Sequence, residues 1–148
     1  MKATLFGKPL DLKLLQMSLR LGGILTLAIG VAHLWFPGAG YARAIPDAMP
    51  APVRDHFYYL ATFAIATFLL SLGPISVLFS RLTHVPSASL VACVLATLWS
   101  ARFALELLYP VEVSLFSVAH PSAVLLPVIG MTAALYLTSA ALNFRKVA

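Results

Sequence analysis

Charged residues are scarce in this chain. Only 10% of its 148 residues are Asp, Glu, Lys or Arg, whereas 61% are hydrophobic. Soluble domains carry about 25% charged and about 45–50% apolar residues. A domain of this length needs far fewer apolar residues for its core than this chain supplies. The shortage of charge therefore excludes a water-soluble globular protein and indicates that the surplus apolar surface faces lipid.

Cysteine and acidic residues are also few. The single cysteine, Cys93, excludes an intrachain disulfide and any metal motif built from several cysteines. Nucleophile motifs, phosphate-binding glycine loops and HExxH are absent as well. The formal net charge is +5, but the basic residues lie mostly at the ends of apolar segments and form no patch with interleaved aromatics. We therefore expect no nucleic-acid partner.

Long apolar runs are what the chain does contain. A membrane-spanning helix needs about 20 mostly apolar residues, and four segments reach that length. They lie at about residues 14–36, 57–80, 87–109 and 121–144. Pro37 and Pro110 end the first and third segments. We predict an all-α fold, a polytopic membrane four-helix bundle forming one transmembrane domain over residues 1–148, with outer loops at 37–56 and 110–120.

The positions of the basic residues predict the orientation of this bundle. Lys and Arg concentrate on the cytoplasmic flanks of membrane helices. Seven of the ten lie before or near the start of the first segment, or follow the second or fourth: Lys2, Lys8, Lys13, Arg20, Arg81, Arg145 and Lys146. We therefore predict that both termini are cytoplasmic. Aromatic residues at the opposite helix ends, among them Tyr59 and Tyr109, fit a belt at the outer membrane interface.

The first apolar segment has an alternative interpretation as a cleaved signal peptide, because Ala42-Arg43-Ala44 resembles a cleavage site. However, the charged region ahead of the segment is long, and Arg20 interrupts the apolar stretch. Both features are unusual in signal peptides, so we expect this segment to be a membrane span.

Small residues recur at four-residue spacing and predict where the helices contact one another. Helices in lipid associate through close packing of small residues. The stripes are Ala28 and Ala32 on the first helix, Ala92, Ala96 and Ser100 on the third, and Gly130, Ala134 and Thr138 on the fourth.

Two oppositely charged residues lie within the third span. Arg102 and Glu106 are four residues apart, and each costs roughly 2.5–3.5 kcal/mol at the bilayer centre on insertion scales. We therefore expect them to face inward and to pair. Trp99 and Phe103 share their helical face, and His33 lies at a similar depth on the first helix.

This polar cluster has several interpretations. Arg102 and Glu106 could be a structural pair that pins the bundle of a purely structural subunit. The cluster could instead bind a lipophilic ligand such as a quinone, with hydrogen bonds from arginine or histidine and stacking on aromatic rings. Our candidate ligand-binding residues are Arg102, Trp99, Phe103, Tyr59 and Tyr109.

A metal or haem site and an acid–base site are the other two interpretations. His33, His56, His120 and Glu106 would all come from different elements, and no HxxxH or ExxH pair occurs, so we assign no metal ligand. Glu106 and His33 are the candidate catalytic pair if the protein is an intramembrane enzyme acting on a lipophilic substrate. The sequence does not decide whether it is an enzyme, and it identifies no cofactor.

Two glycine-containing runs carry a family resemblance. They are Leu19-Arg20-Leu21-Gly22-Gly23 and Gly30-Val31-Ala32-His33-Leu34, the second of which leads into an aromatic residue and a Pro-Gly break. With four spans and short turns, these runs resemble the DoxX-like small four-helix membrane proteins. The glycine-rich second span of that group is missing, because residues 69–74 contain only Gly73.

The resemblance implies an accessory or quinone-associated subunit and carries over no catalytic residue. We expect the partners to be membrane lipids, a lipophilic ligand such as a quinone, and a larger membrane complex or a homo-oligomer. We expect the location to be the inner membrane of a bacterium.

Overall fold

Four α-helices make up nearly all of the described chain. The computed structural model describes residues 9–35, 50–83, 85–110 and 118–147. The helices are α1 Pro9–His33, α2 Ala51–Arg81, α3 Pro86–Leu108 and α4 Ser122–Val147. Each is long and apolar enough to cross a membrane, so the predicted all-α class and the four membrane-spanning helices are confirmed. Most of the predicted outer loops, and His84, lie outside the described residues.

Three of the four helices begin earlier than the apolar segments that predicted them. α1 begins at Pro9 and α2 at Ala51, because polar residues are compatible with a helix outside the hydrocarbon layer. The 31 residues of α2 extend about 46 Å at ~1.5 Å per residue, which exceeds the ~30 Å hydrocarbon core. This helix must therefore tilt or project into the headgroup region.

α1 and α2 run antiparallel. On α1 and α2, Gly23 lies against Gly73 and Gly30 against Leu69, so residue numbers fall on one helix as they rise on the other. We call the end where α1 ends and α2 begins the loop end. We call the opposite end, where residues 82–85 join α2 to α3, the turn end.

The four helices are unequally packed. α1 packs closely against both α2 and α4, and α3 packs closely against α4, whereas α2 and α3 make only sparse contacts with each other. The bundle therefore has three closed seams and one open seam, between α2 and α3. The most apolar stretch of α2 is only 22% buried, which makes it the helix with the largest unpacked face.

Glycines allow the backbones of α1 and α2 to touch. A Cβ on Gly23 would lie 2.8 Å from the Gly73 carbonyl oxygen, and one on Gly73 would lie 2.9 Å from that of Gly23. Nearby, the Ser76 hydroxyl donates to the Leu19 carbonyl across the same seam, at 2.8 Å. Such close packing holds helices together in lipid, where the hydrophobic effect does not drive one helix toward another.

Hydroxyl groups join α1 to α4 nearer the turn end. The Tyr136 ring is fully buried and lies over Gly22, whose Cβ would be 2.9 Å from the ring Cζ atom. Its hydroxyl is 3.1 Å from Thr26 Oγ1, and the hydroxyls of Ser18 and Ser139 are 2.8 Å apart. Each polar group is satisfied within the bundle, as a low-dielectric surrounding requires.

The predicted small-residue stripes are only partly correct. Ala92 and Ala96 are buried, so the α3 stripe faces the bundle as expected. On α4, Ala134 is exposed, and on α1 both Ala28 and Ala32 are exposed. The stripe predicted for α1 is therefore wrong, because the glycines on another side of the same helix make the contacts.

Candidate functional site

A cavity of about 330 Å³ lies in the half of the bundle nearer the loop end. All four helices line it, α2 most extensively, with residues between 61 and 72. Its wall is mostly apolar, interrupted by a few polar side chains. Small-molecule sites usually have this character and a volume of about 300–1,000 Å³, so the cavity is large enough for one small lipophilic molecule.

The cavity follows the open seam. Ile65 and Phe68 of α2 and Leu98 of α3 line it, yet these side chains are 45%, 51% and 38% exposed, respectively. They form a rim where the cavity meets the surroundings of the protein. This part of each helix is apolar enough to lie in a membrane, where an apolar rim is compatible with contact to the hydrocarbon region.

Arg102 and Glu106 form the predicted ion pair. Arg102 Nη2 lies 2.6 Å from Glu106 Oε2, and the side chains are 42% and 0% exposed, respectively. A contact this short is a charge-assisted hydrogen bond. Arg102 lines the cavity, whereas Glu106 is absent from the lining formed by the described residues. The carboxylate therefore holds the guanidinium in place beside the cavity.

His33, the last residue of α1, also lines the cavity. Its Nδ1 atom lies 2.8 Å from the Ile29 carbonyl oxygen. Because a carbonyl can only accept, Nδ1 carries the hydrogen in this bond. The structure thus brings His33 and Arg102 to one cavity and places Glu106 behind Arg102. The acid–base role of Glu106 and His33 stays a prediction.

Trp99 and Phe103 occupy different positions although they share a helical face. Trp99 is 5% exposed and lines the cavity, where its ring offers a flat apolar wall. Phe103 packs against α4 instead, with its Cε2 atom 2.9 Å from where a Cβ on Gly130 would lie. Of these two predicted ligand-binding aromatics, Trp99 is the one placed for direct contact.

Tyr59 and Tyr109 lie away from the cavity. Tyr59 stacks on Phe63 with ring centroids 5.9 Å apart, and it is 52% exposed. Tyr109, which follows α3, is 75% exposed. Both positions suit the interfacial aromatic belt expected from the sequence. Their proposed part in ligand binding stays a prediction.

Thr62 is a lining residue that the sequence analysis missed. It is 2% exposed and lines the cavity from α2. Its hydroxyl has no hydrogen-bond partner among the described residues, and an unsatisfied buried hydroxyl costs about 1–3 kcal/mol. Threonine in a helix usually donates to the carbonyl four residues before it. No sequence signal distinguishes a threonine that does so from one that does not.

Two further histidines, His56 and His120, do not join the cluster. His56 and His120 are exposed, and neither lines the cavity as the described residues define it. Within the described ranges, no group of three or more His, Cys, Asp or Glu side chains could hold a metal ion.

The polar residues at the cavity thus come from three helices: His33 from α1, Thr62 from α2 and Arg102 from α3. Comparison with known proteins finds no family model, no curated protein and no solved structure that matches the chain.

Proposed function

We propose that this protein is a small integral membrane subunit that binds a quinone-like lipophilic molecule in the cavity between its four helices. The observation that carries the proposal is the combination of an apolar cavity of about 330 Å³ with Arg102 and His33 in its wall. Such a site favours a mostly apolar ligand with a few hydrogen-bonding atoms.

The lining residues suit a ring that bears carbonyl groups. Arg102 supplies N–H donors, and its contact with Glu106 restricts the motion of the guanidinium, so that less entropy is lost on binding. Trp99 provides a flat surface on which an aromatic or quinone ring stacks. A carbonyl group that leaves water recovers its lost hydrogen bond from such a donor.

The open seam supports delivery of the ligand from the membrane. Ile65, Phe68 and Leu98 form an apolar rim, so a hydrophobic molecule dissolved among the acyl chains enters without crossing water. A quinone carried in the bilayer is a ligand of this kind. The resemblance to DoxX-like proteins adds the proposal of an accessory subunit in a quinone-linked complex of a bacterial inner membrane.

Filling the cavity tests this function. Ala61 lines the cavity, and Ala61→Phe places a ring in that space. Ala64, on the same helix, is exposed and does not belong to this cavity, so Ala64→Phe is the matched control. We expect 2-decyl-1,4-benzoquinone to quench Trp99 fluorescence in lipid nanodiscs, with Trp35 replaced by Phe so that one tryptophan reports.

We expect Ala61→Phe to lower the apparent affinity for this quinone at least tenfold and Ala64→Phe to leave it within twofold. Equal quenching in both variants contradicts the proposal. Mass spectrometry of lipid extracts from the purified protein provides a second measurement, because a bound quinone should copurify with the unsubstituted protein and be depleted in Ala61→Phe.

A purely structural subunit is the second candidate function. The observation that favours it is the complete burial of Glu106 in its contact with Arg102, since buried pairs can fix helix register without binding anything. On this alternative, quinone affinity is negligible in the unsubstituted protein and in every variant, and only stability responds to changes at Arg102.

A further inference from the structure

Thr62 differs from most hydroxyl residues of the bundle. The hydroxyl of Ser100 on α3 is also buried without a partner among the described residues, but Ser100 does not line this cavity. Six serines and threonines donate a hydrogen bond to the carbonyl four residues earlier: Ser18, Thr26, Ser71, Thr132, Thr138 and Ser139. The Thr62 hydroxyl has no partner in the described part of the chain, although it is buried. The local helix therefore does not occupy this hydroxyl. Its oxygen is buried, so the hydroxyl must turn about the Cα–Cβ bond to reach a molecule in the cavity.

Thr62 and Arg102 belong to the two helices that flank the open seam. Both line the same cavity, Thr62 from α2 and Arg102 from α3, and these helices contact each other only sparsely. The protein thus offers one hydrogen-bonding group from each side of the gap. A ligand with a single polar end can use one of these groups, whereas a ring with polar atoms at two opposite edges can use both.

We infer that Thr62 is a specificity-determining residue that selects a ring with hydrogen-bonding groups at two opposite edges, as in a 1,4-benzoquinone. One edge bonds to the Thr62 hydroxyl and the other to the Arg102 guanidinium. The ligand bridges α2 and α3 across the seam. This inference rests on the proposed ligand-binding function and goes beyond it by naming the recognition element and the ligand geometry.

The test compares two probes that have the same chain length and different numbers of carbonyl groups. They are 2-decyl-1,4-benzoquinone, with two carbonyls, and decyl phenyl ketone, with one. The unsubstituted protein is compared with Thr62→Val, which keeps the side-chain shape and removes the hydroxyl, and with Thr62→Ser, which retains a hydroxyl. The control is Thr67→Val, because Thr67 is exposed on the same helix and lies outside this cavity.

We expect the unsubstituted protein in nanodiscs to bind the quinone at least fivefold more tightly than the ketone, a ratio that corresponds to about 1 kcal/mol, one ordinary hydrogen bond. Thr62→Val should reduce this ratio to near one, whereas Thr62→Ser and Thr67→Val should keep it. Thr62→Val should also leave the thermal unfolding temperature of the ligand-free protein unchanged or raise it. A residue needed only for folding would lower that temperature.

The remaining outcomes separate the two proposals. If the quinone binds and Thr62→Val keeps the fivefold ratio, the inference about Thr62 is wrong while the ligand site stands. If the ratio is near one in the unsubstituted protein, the two-edge geometry is wrong. If neither probe binds the unsubstituted protein, the proposed function itself fails.

Discussion

The side chains of Arg102 and Glu106 make one contact but have unequal surroundings. Glu106 is fully buried, whereas the Arg102 side chain is 42% exposed. A buried charge deprived of its partner is strongly destabilising, while an exposed one can reach water or lipid headgroups. Removing Arg102 should therefore lower the free energy of unfolding by a different amount from removing Glu106.

We predict that Arg102→Leu lowers the free energy of unfolding by about 3 kcal/mol, because it removes the guanidinium from a buried carboxylate. Glu106→Leu should cost only about 1 kcal/mol, because the remaining guanidinium, on a long and partly exposed side chain, can extend toward the lipid headgroups. The double variant should recover most of the larger loss. Denaturant titration in detergent micelles, followed by circular dichroism, measures all three.

Equal losses in the two single variants would contradict the asymmetry argued from burial. A double variant as unstable as Arg102→Leu would show that Leu side chains pack poorly at these positions. In that case the ion pair would contribute little to the difference between the single variants.

The residues of the cluster were predictable to different degrees. The pairing of Arg102 with Glu106 follows from the cost of isolated charges in lipid and from four-residue spacing, and the structure confirms it. The position of Trp99 in the cavity wall follows from its place on the same helical face as Arg102 and Glu106. Thr62 was not predictable, because its importance depends on the absence of a local hydrogen bond, which is a property of geometry rather than of residue type.

At the scale of helices, α1 illustrates why composition alone does not identify a contact face. The helix carries one face with Ala28 and Ala32 and another with Gly23 and Gly30. Both satisfy the small-residue pattern, but the glycine face is the one in contact with α2. Glycine permits backbone-to-backbone contact, which buries more atoms at closer range than alanine allows.

We predict that Gly23→Ala destabilises the protein by about 1–3 kcal/mol, the usual cost of overpacking, because the added methyl group would lie 2.8 Å from a backbone oxygen of α2. The matched control is Ala28→Leu, a larger addition on the exposed face of the same helix. It should change stability by less than about 0.5 kcal/mol. Thermal unfolding in one detergent compares the two.

A Gly23→Ala variant as stable as the unsubstituted protein would mean that α1 and α2 separate at no cost. A destabilised Ala28→Leu variant would indicate that the Ala28 face contacts another chain in the membrane, as expected for a homo-oligomer or a larger complex.

At the scale of the whole molecule, the number of helices and their antiparallel order follow from four apolar runs with short connections. The helix bounds are less predictable, since hydropathy reports only the part of a helix that lies in lipid. The open seam was also not predictable, because it depends on which of the possible helix pairs pack closely.

The orientation of the bundle in the membrane remains a prediction from the basic residues, and cysteine labelling tests it. In a Cys93→Ala background, Ala48→Cys should react with a membrane-impermeant maleimide on intact cells. Ala148→Cys should react only after the cells are permeabilised, because the C-terminus is predicted to be cytoplasmic. The opposite labelling pattern would show that the topology is inverted and that the loop end lies on the cytoplasmic side.

The open seam between α2 and α3 determines how the protein must be handled. Because protein covers the cavity incompletely on this side, we expect the acyl chains of a surrounding membrane to complete its wall. A detergent that strips those lipids substitutes its own tails for that wall, and at micellar concentrations it competes for the same space. Extraction in polymer-bounded lipid discs should therefore retain an occupant that detergent washes away. The solubilising agent is thus itself a variable in any measurement of what this cavity holds.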